Sequence, residues 1–286
     1  MLSEGRGVAR RCAVWGSPIG HSLSPALHRA AYAALALHDW SYERREVDAS
    51  GFADAFAGLD GTWVGLSLTM PLKEVALGAA TTVTPVAAAT GAANTLVRGT
   101  DDPSAWTAHN TDVHGLTTAL RLAGCADPTS LLVVGSGATA RSAIATLARG
   151  GRVVLMVRDR VRPETFAQAE AAGLVVETVG LGEWAAAAEV DAVVSTVPPT
   201  SVPDLDGFPV VTHRGHRPVV LDVVYGSGET PLQRAARERG WSVAEGTDML
   251  LHQATEQVRL MTGHEAPLGA MSDALRAALL DRRAER

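Results

Sequence analysis

The sequence predicts an α/β protein whose second half forms a doubly wound parallel sheet. Segments with strand and helix patterns alternate along most of the chain, as they do in βαβ units. The apolar run Leu131-Leu132-Val133-Val134 is typical of a strand buried on both faces. With 286 residues, 47% of them hydrophobic, the chain is long enough for two domains of roughly 150 residues each. This composition excludes a disordered or collagen-like chain.

The first half is predicted to begin with a strand at 13–15 and a helix at 25–37. Ser24 is the predicted N-cap of that helix, and Pro25 suits its first turn. Strands are expected at 40–47, 63–68, 94–98 and 106–109, and a helix is expected to start at 72–77. These elements form the predicted N-terminal α/β domain.

The second half continues the alternation. The predicted helices are 138–149, 163–172, 183–188 and 232–239, and the predicted strands are 131–134, 152–157, 174–177, 192–196, 219–224 and 242–244. A long helix at 247–262 and a short one at 271–282 follow, and we expect this tail to pack back on the first domain. The predicted domains are therefore 1–112 plus 247–286, and 113–246.

Charge and cysteine content narrow the possible partners. Acidic minus basic residues gives 31 − 25 = 6, a formal net charge of −6, so the chain has no overall attraction to nucleic acid or anionic membrane. Two cysteines cannot form a disulfide framework, and no apolar stretch approaches the about 18 residues of a membrane span. A cytoplasmic location is expected. The pair His213 and His216 has metal-ligand spacing without supporting context, so no metal is predicted.

A glycine-rich turn follows the strand at 131–134. It reads Gly135-Ser136-Gly137-Ala138-Thr139-Ala140, a G-x-G-x-x-A pattern that opens the next helix. The first glycine allows a tight turn, the second allows close approach of a pyrophosphate, and the small Ala140 allows close helix–strand packing. In this βαβ context the pattern predicts a Rossmann-like dinucleotide site.

The residues after the next strand indicate which dinucleotide binds. Arg158 stands just beyond that strand and Arg162 lies four residues further on, where arginines meet the 2′-phosphate of NADP. Asp159 leaves NAD possible, because an acid at this point can bond the ribose 2′-hydroxyl. NADP is the favoured interpretation.

Small polar residues gather in four motifs of the first half. The motifs are Ser22-Leu23-Ser24-Pro25, Ser67-Leu68-Thr69-Met70-Pro71-Leu72-Lys73, Asn94-Thr95 and Asn110-Thr111-Asp112. Hydroxyls and amides can orient each hydroxyl of a polyhydroxylated substrate, and a lysine with an aspartate can handle a proton. The motifs therefore predict a site for a small polyhydroxylated molecule.

In order and spacing, these motifs resemble those of the shikimate dehydrogenase family, whose members reduce 3-dehydroshikimate to shikimate. The resemblance extends from Val14 to about Met271. It implies that Lys73 and Asp112 are catalytic and that the substrate ligands are Ser22, Ser24, Ser67, Thr69, Asn94, Tyr225 and Gln253. It also implies a cofactor site made by Gly135, Ser136, Gly137, Ala138, Thr139, Arg158, Arg162, Val223 and Gly246.

This chain differs from the family pattern at four places. Ser67 stands where many members have Asn, and Ala138 stands where the turn usually has a glycine. Val157 and Asp159 replace polar neighbours of Arg158, and Gly226-Ser227 lacks the proline that is common after the tyrosine. The alternatives are a quinate or aminoshikimate dehydrogenase that uses NAD, and a dinucleotide-sensing homologue without turnover. The presence of both Lys73 and Asp112 argues against the sensor. A monomer or a homodimer is expected.

Overall fold

The computed structural model describes residues 9–210, 217–226 and 228–284. It confirms the predicted α/β class, with two six-stranded sheets. The chain divides into two compact units. Unit 1 comprises Met1–Ala87, Ala93–Thr111 and Ala254–Arg286, and unit 2 comprises Ala88–Ala92 and Asp112–Gln253.

Unit 1 contains a mixed sheet with the strand order β2-β1-β3-β5-β6-β4. The strands are β1 Arg10–Gly16, β2 Trp40–Glu46, β3 Trp63–Leu68, β4 Thr82–Val83, β5 Thr95–Arg98 and β6 Trp106–His109. β1 pairs in parallel with β2 and β3, whereas β5 runs antiparallel to β3 and β6. One face is covered by a core that includes Trp15, Phe52, Trp63 and Leu96. This arrangement brings the ends of β1 and β3 and the start of β5 to the same edge.

The helices that begin in the first half are α1 Ser24–Ala34, α2 Phe52–Ala57, α3 Pro85–Thr90 and α4 Asp112–Leu122. The prediction that Ser24 caps α1 is wrong, because Ser24 is the first helical residue and Leu23 occupies the cap position without a side-chain bond. The hydroxyl of Ser22 instead accepts a hydrogen bond from the Ser24 N–H, at 3.3 Å. The helix predicted at 72–77 is a 3₁₀ helix at Val75–Ala79.

Unit 2 contains a wholly parallel sheet with the order β12-β11-β10-β7-β8-β9. Its strands are β7 Ser130–Val134, β8 Arg152–Val157, β9 Val175–Gly180, β10 Ala192–Ser195, β11 Val219–Asp222 and β12 Val243–Ala244. Its remaining helices are α5 Ala138–Ile144, α6 Pro163–Ala171 and α7 Pro231–Glu238. Leu131 and Val133 enter one hydrophobic core and Leu132 and Val134 the other, so β7 is buried on both faces as predicted.

Two long helices end the chain: α8 Gly246–Thr262 and α9 Leu268–Ala284. The second is longer than the segment 271–282 that the sequence predicted. α9 packs against α1, which confirms the expected return of the tail to the first domain. Within the described ranges, the structure contains no helix long and apolar enough to cross a membrane.

Candidate functional site

Three of the predicted substrate residues lie at one edge of the unit 1 sheet. Ser67 in β3 pairs with Thr95 in β5, and Thr95 pairs with His109 in β6. The N–H of Leu68 donates to the carbonyl oxygen of Asn94 at 2.7 Å, so Asn94 lies beside the start of the Thr69 loop. The N–H of Thr69 in turn donates to the carbonyl of Trp15 at 2.9 Å. The sheet register therefore gathers Ser67, Thr69 and Asn94.

Lys73 follows these residues in the same loop and is partly buried. Its carbonyl oxygen accepts a hydrogen bond from the N–H of Ala93 at 2.7 Å. This bond fixes the backbone of the lysine beside the segment that carries Asn94. The only lysine of the chain is thus held at the polar edge of the unit 1 sheet.

Ser22 and Ser24 are both buried at the start of α1. Because the Ser22 oxygen accepts the Ser24 N–H, its hydroxyl hydrogen can donate to an anionic group. His28, one turn after Ser24, lies with Nδ1 at 2.9 Å from the Ser24 carbonyl oxygen, and a carbonyl requires that this nitrogen donate. The imidazole also stacks on Tyr42, with ring centroids 3.9 Å apart.

Burial determines the charge of His28. The side chain is fully buried, and desolvation lowers the pKa of His28 from 6.5 to about 4, while the bond to Ser24 opposes this shift. His28 is therefore neutral near pH 7. It supports the Ser24 backbone as a neutral donor and adds no positive charge behind the serines.

A hydrogen-bond network connects two of the predicted substrate residues of unit 1, Ser67 and Asn94. Tyr42 donates its hydroxyl to Ser67 at 2.6 Å, and Ser67 donates to Gln257 Oε1 at 2.8 Å. Gln257 Nε2 donates to Thr95 Oγ1 at 2.9 Å, and Thr95 donates to Asn94 Oδ1 at 2.8 Å. All five side chains are buried.

At one end of the network, hydrogen bonds fix the orientation of the Asn94 side-chain amide. The N–H of Thr111 donates to Asn94 Oδ1 at 2.8 Å, and Asn94 Nδ2 donates to Thr111 Oγ1 at 2.9 Å. Tyr42, Thr95, Thr111 and Gln257 were not among the predicted site residues. Thr95 and Thr111 lie within the quoted motifs, but Tyr42 and Gln257 lie outside them.

Asp112 is the first residue of α4 and belongs to unit 2 by the division of the chain. It directly follows Thr111, and its side chain is buried. Gln253 is also buried in unit 2, where its Nε2 donates to the carbonyl of Leu250 at 3.0 Å. Gly115 lets α4 and α8 approach closely, since an added Cβ would lie 2.6 Å from the Met249 carbonyl oxygen.

The glycine turn of unit 2 has the form that the sequence predicted. Gly135 has φ +106°, and an added Cβ would lie 2.7 Å from Thr196 Oγ1, so both conformation and space require glycine. Nothing lies within 4 Å of a Cβ added at Gly137, directly before α5. Ala140 is buried in the core beneath. The turn thus leaves open space at Gly137, which fits close approach of a pyrophosphate.

The turn is also connected to the helix that follows β8. Thr165 of α6 donates its hydroxyl to the Ser136 carbonyl at 2.7 Å, and the N–H of Arg162 donates to Ser136 Oγ at 3.3 Å. Arg158, Asp159 and Arg162 are exposed and lie on the segment between β8 and α6. Two guanidinium groups therefore stand on the segment that is bonded to the glycine turn, which fits the 2′-phosphate of NADP.

The loop after β11 packs closely against the start of α8. A Cβ at Gly246 would lie 2.7 Å from the carbonyl oxygens of Asp222 and Val224 and 2.9 Å from that of Val223. The buried Asp222 accepts the N–H of Val224 at 3.3 Å, and burial raises the pKa of this carboxyl. Val223 and Tyr225 are thus held on a supported loop, both partly buried.

The structure does not test the prediction about a histidine metal site, because His213 and His216 lie outside the described residues. Ser227 lies outside them as well. Among residues that the structure does describe, no group of three or more His, Cys, Asp or Glu side chains is placed to hold a metal ion.

Comparison with known proteins gives consistent matches. Residues 14–96 match the model of the shikimate dehydrogenase substrate binding domain, and residues 246–276 match that of the shikimate 5′-dehydrogenase C-terminal domain. A relative from Methanothrix thermoacetophila, named shikimate dehydrogenase (NADP(+)), is 37% identical over 93% of this chain and 97% of its own length.

Solved structures agree with these matches. The crystal structure of Mycobacterium tuberculosis shikimate dehydrogenase is 37% identical, with a TM-score of 0.81 and coverage of 94% of this chain and 99% of that one. The Thermus thermophilus shikimate 5-dehydrogenase in complex with NADP(H) and shikimate is 30% identical, with a TM-score of 0.78 and coverage of 94% and 99%. The chain therefore belongs to the shikimate dehydrogenase family.

Proposed function

We propose that this chain catalyses the reversible, NADP-dependent interconversion of shikimate and 3-dehydroshikimate, a step in the biosynthesis of aromatic amino acids. The observation that carries the proposal is the buried network of neutral hydroxyl and amide groups in unit 1, with Lys73 fixed at its edge. Such groups suit a polyhydroxylated acid, because each can bind one hydroxyl in a defined direction.

The substrate carboxylate is assigned to Ser22 and Ser24, with Tyr225 and Gln253 as further neutral donors. A hydrogen bond to a charged group contributes about 1.5–3 kcal/mol, so several neutral donors together can hold the carboxylate without an arginine. The ring hydroxyls are assigned to Ser67, Thr69 and Asn94, which the sheet register gathers at one edge of unit 1.

Proton transfer is assigned to Lys73. In shikimate oxidation its amine accepts the proton of the reacting hydroxyl, and in the reverse direction its ammonium donates a proton to the ketone oxygen. Asp112 is assigned to a neighbouring substrate hydroxyl as hydrogen-bond acceptor. Both side chains are attached to backbone that hydrogen bonds or a helix start hold in place.

The cofactor is assigned to unit 2. When bound, NADP supplies the hydride acceptor for shikimate oxidation, and NADPH supplies the hydride for the reverse reaction. Gly135, Ser136, Gly137, Ala138 and Thr139 would hold the pyrophosphate, Arg158 and Arg162 the 2′-phosphate, and Val223 and Gly246 the nicotinamide side. The open space at Gly137 and the exposed guanidinium groups support this assignment.

We also propose that residues 1–112 and 247–286 form the substrate-binding domain and residues 113–246 the cofactor-binding domain. The net charge of −6 gives the chain no overall attraction to nucleic acid or anionic membrane, so the proposed partner is a small-molecule substrate bound by the local site. A cytoplasmic monomer or homodimer completes the proposal.

The test of the assigned chemistry is the variant Lys73→Ala. Turnover of shikimate should fall by about 10²–10⁴-fold, the usual contribution of general acid–base catalysis, while shikimate and NADP⁺ still bind. Steady-state kinetics and calorimetric titration measure these two effects separately. The exposed Glu74→Ala is the matched control and should retain wild-type kcat. A kcat for Lys73→Ala within about twofold of wild type, in a folded protein, would exclude Lys73 as the proton-transfer group.

A further inference from the structure

Gln257 is a glutamine whose amide side chain lies in the core of unit 1. It lies on α8 and is only 1% exposed. Its side chain makes hydrogen bonds to Ser67, to Thr95 and to the carbonyl oxygen of Asn94, the last at 3.3 Å. Burial of an amide is unfavourable unless hydrogen bonds within the protein replace those to water. The Gln257 amide makes these bonds to Ser67, Thr95 and Asn94, and Ser67 and Asn94 are proposed substrate ligands.

The bonds have one direction along the network. The Ser67 oxygen accepts from Tyr42, and its single hydrogen is donated to Gln257 Oε1. The single hydroxyl hydrogen of Ser67 is therefore already used in this bond. The hydroxyl can bind a ligand only by accepting a hydrogen bond. Because the Tyr42 hydroxyl has one hydrogen as well, this direction is fixed as long as Gln257 presents its oxygen to Ser67.

The other end of the Gln257 amide fixes Asn94. Nε2 donates to Thr95, so the Thr95 hydroxyl hydrogen is donated to Asn94 Oδ1. That oxygen also accepts the Thr111 N–H, so the asparagine amide is oriented with Oδ1 toward these donors and with Nδ2 as its donor end. Gln257 thus couples the orientation of two substrate-facing groups through one amide.

We infer that Gln257 is a positioning residue of the substrate site, which sets Ser67 as a hydrogen-bond acceptor and Asn94 as a donor toward the ring hydroxyls. The inference rests on the proposed function, because it takes Ser67 and Asn94 as substrate ligands. A glutamine is required rather than an acid of the same shape, since a carboxylate accepts from Ser67 but cannot donate to Thr95.

The test compares Gln257→Glu and Gln257→Leu with the matched control Val258→Ala. Val258 is the next residue on α8, is equally buried and is not part of the network. Each variant is measured by steady-state kinetics with shikimate and NADP⁺, by calorimetric titration of shikimate, and by thermal unfolding. Tyr42→Phe is a milder variant that removes only the hydroxyl that donates to Ser67.

Both Gln257 variants should raise the KM and Kd for shikimate by about tenfold or more, as expected for the loss of ordered hydrogen bonds, with the KM for NADP⁺ unchanged. Tyr42→Phe should raise the same constants severalfold. Val258→Ala should lower the unfolding temperature and leave the shikimate constants at wild-type values. In combination with Ser67→Ala, Gln257→Leu should cost less than the two single changes together, because one network is lost in both.

Loss of stability alone would overturn the inference. If Gln257→Glu and Tyr42→Phe unfold at lower temperature and their shikimate constants stay within about twofold of wild type, the network supports the core and does not position the ligands. A different result would contradict the proposed function: the wild-type chain would neither bind nor oxidise shikimate. If the Gln257 variants do not fold, Thr95→Val decides, because it removes the hydroxyl that connects Gln257 Nε2 to Asn94 Oδ1. Shikimate constants within about twofold of wild type in this variant would overturn the inference.

Discussion

His28 is a single buried residue that contacts both a proposed substrate serine and the hydrogen-bond network of unit 1. Its ring donates to the Ser24 carbonyl and stacks on Tyr42, which donates to Ser67. The carboxylate-binding serines and the hydroxyl-binding serine of the proposed site therefore share one support. Because burial lowers the pKa of this histidine to about 4, protonation of His28 opposes folding.

The stability of the protein should consequently fall in mild acid. The unfolded chain takes up a proton on His28 near pH 6.5 and the folded chain only near pH 4, so the free energy of unfolding decreases as the pH falls through this window. This residue alone should remove about 2 kcal/mol between pH 7 and pH 5. His28→Gln should lose this part of the pH dependence in urea unfolding, whereas the exposed control His38→Gln should retain it. An identical pH slope for His28→Gln and the wild type would contradict the assignment.

Arg158 is expected to determine whether the chain prefers NADP or NAD. This exposed residue directly follows β8, on the segment whose Arg162 N–H bonds to Ser136 of the glycine turn, so we expect its guanidinium to bind the 2′-phosphate that distinguishes NADP from NAD. Arg158→Ala should raise the KM for NADP⁺ by about tenfold or more and leave that for NAD⁺ nearly unchanged, since a charged hydrogen bond contributes about 1.5–3 kcal/mol.

The matched control is Arg160→Ala, which removes an equally exposed charge two residues away. It should change neither constant by more than the weak effect of an exposed charge. A wild-type preference for NAD⁺ that is lost in Asp159→Ala would instead show that Asp159 binds the ribose hydroxyls and that the NADP assignment is wrong.

The start of α8 packs closely against the loop after β11 in unit 2. Gly246→Ala would place a methyl group 2.7–2.9 Å from three carbonyl oxygens of the loop after β11. Overpacking of this kind costs about 1–3 kcal/mol, and here the strain falls on the loop that carries Val223. We expect lower stability and weaker NADP⁺ binding, measured by thermal unfolding and calorimetry.

Gly269→Ala is the control substitution for Gly246→Ala. Gly269 lies in α9, and nothing is within 4 Å of a Cβ added there. Replacing a helical glycine by alanine should stabilise the protein by up to about 0.5–1 kcal/mol and leave NADP⁺ binding unchanged. Equal effects of the two substitutions would mean that the contacts at Gly246 do not constrain the loop.

Element prediction succeeded where one pattern dominated. The strands β6 and β8 have the predicted bounds, and β7 differs by one residue. For β7 and β8 the reason is that a short apolar run next to turn residues leaves few alternatives. The helix at 138–149 was predicted too long, since α5 ends at Ile144. There the hydroxyl of Thr146 bonds the Ala143 carbonyl at 2.7 Å, a local bond that competes with the helical pattern.

The prediction of site residues was limited by contacts between residues that are far apart in the sequence. The motif residues Ser67, Asn94 and Lys73 could be found from their spacing, because they stand at an end of a predicted strand or, for Lys73, at the start of a predicted helix. Gln257 could not, since its bond to Ser67 joins residues 190 positions apart and nothing on α8 distinguishes it from a solvent-facing polar residue. Tyr42 lies in a predicted strand, and no local pattern distinguishes it from the other residues of that strand. Their roles depend on tertiary contacts that no local pattern encodes.

For the protein as a whole, family membership narrows the range of reactions, and the pairing of substrate and cofactor is the property that distinguishes the remaining enzymes. The neutral donors of unit 1 favour a polyhydroxylated acid, and the exposed arginines of unit 2 favour the phosphorylated dinucleotide. Quinate or aminoshikimate dehydrogenases with NAD would use the same elements. Only turnover of the intact chain distinguishes these enzymes from one another and from a homologue that binds without reacting.

The most direct measurement is the kcat/KM of the purified chain for shikimate and for quinate, each with NADP⁺ and with NAD⁺, followed through the absorbance of the reduced cofactor. We predict the highest value for shikimate with NADP⁺, and loss of that activity in Lys73→Ala by about 10²–10⁴-fold. A higher value for quinate with NAD⁺ would contradict the proposed substrate and cofactor. The absence of turnover with all four pairs, in a protein that binds NADP⁺, would show that the chain is not an enzyme of this reaction.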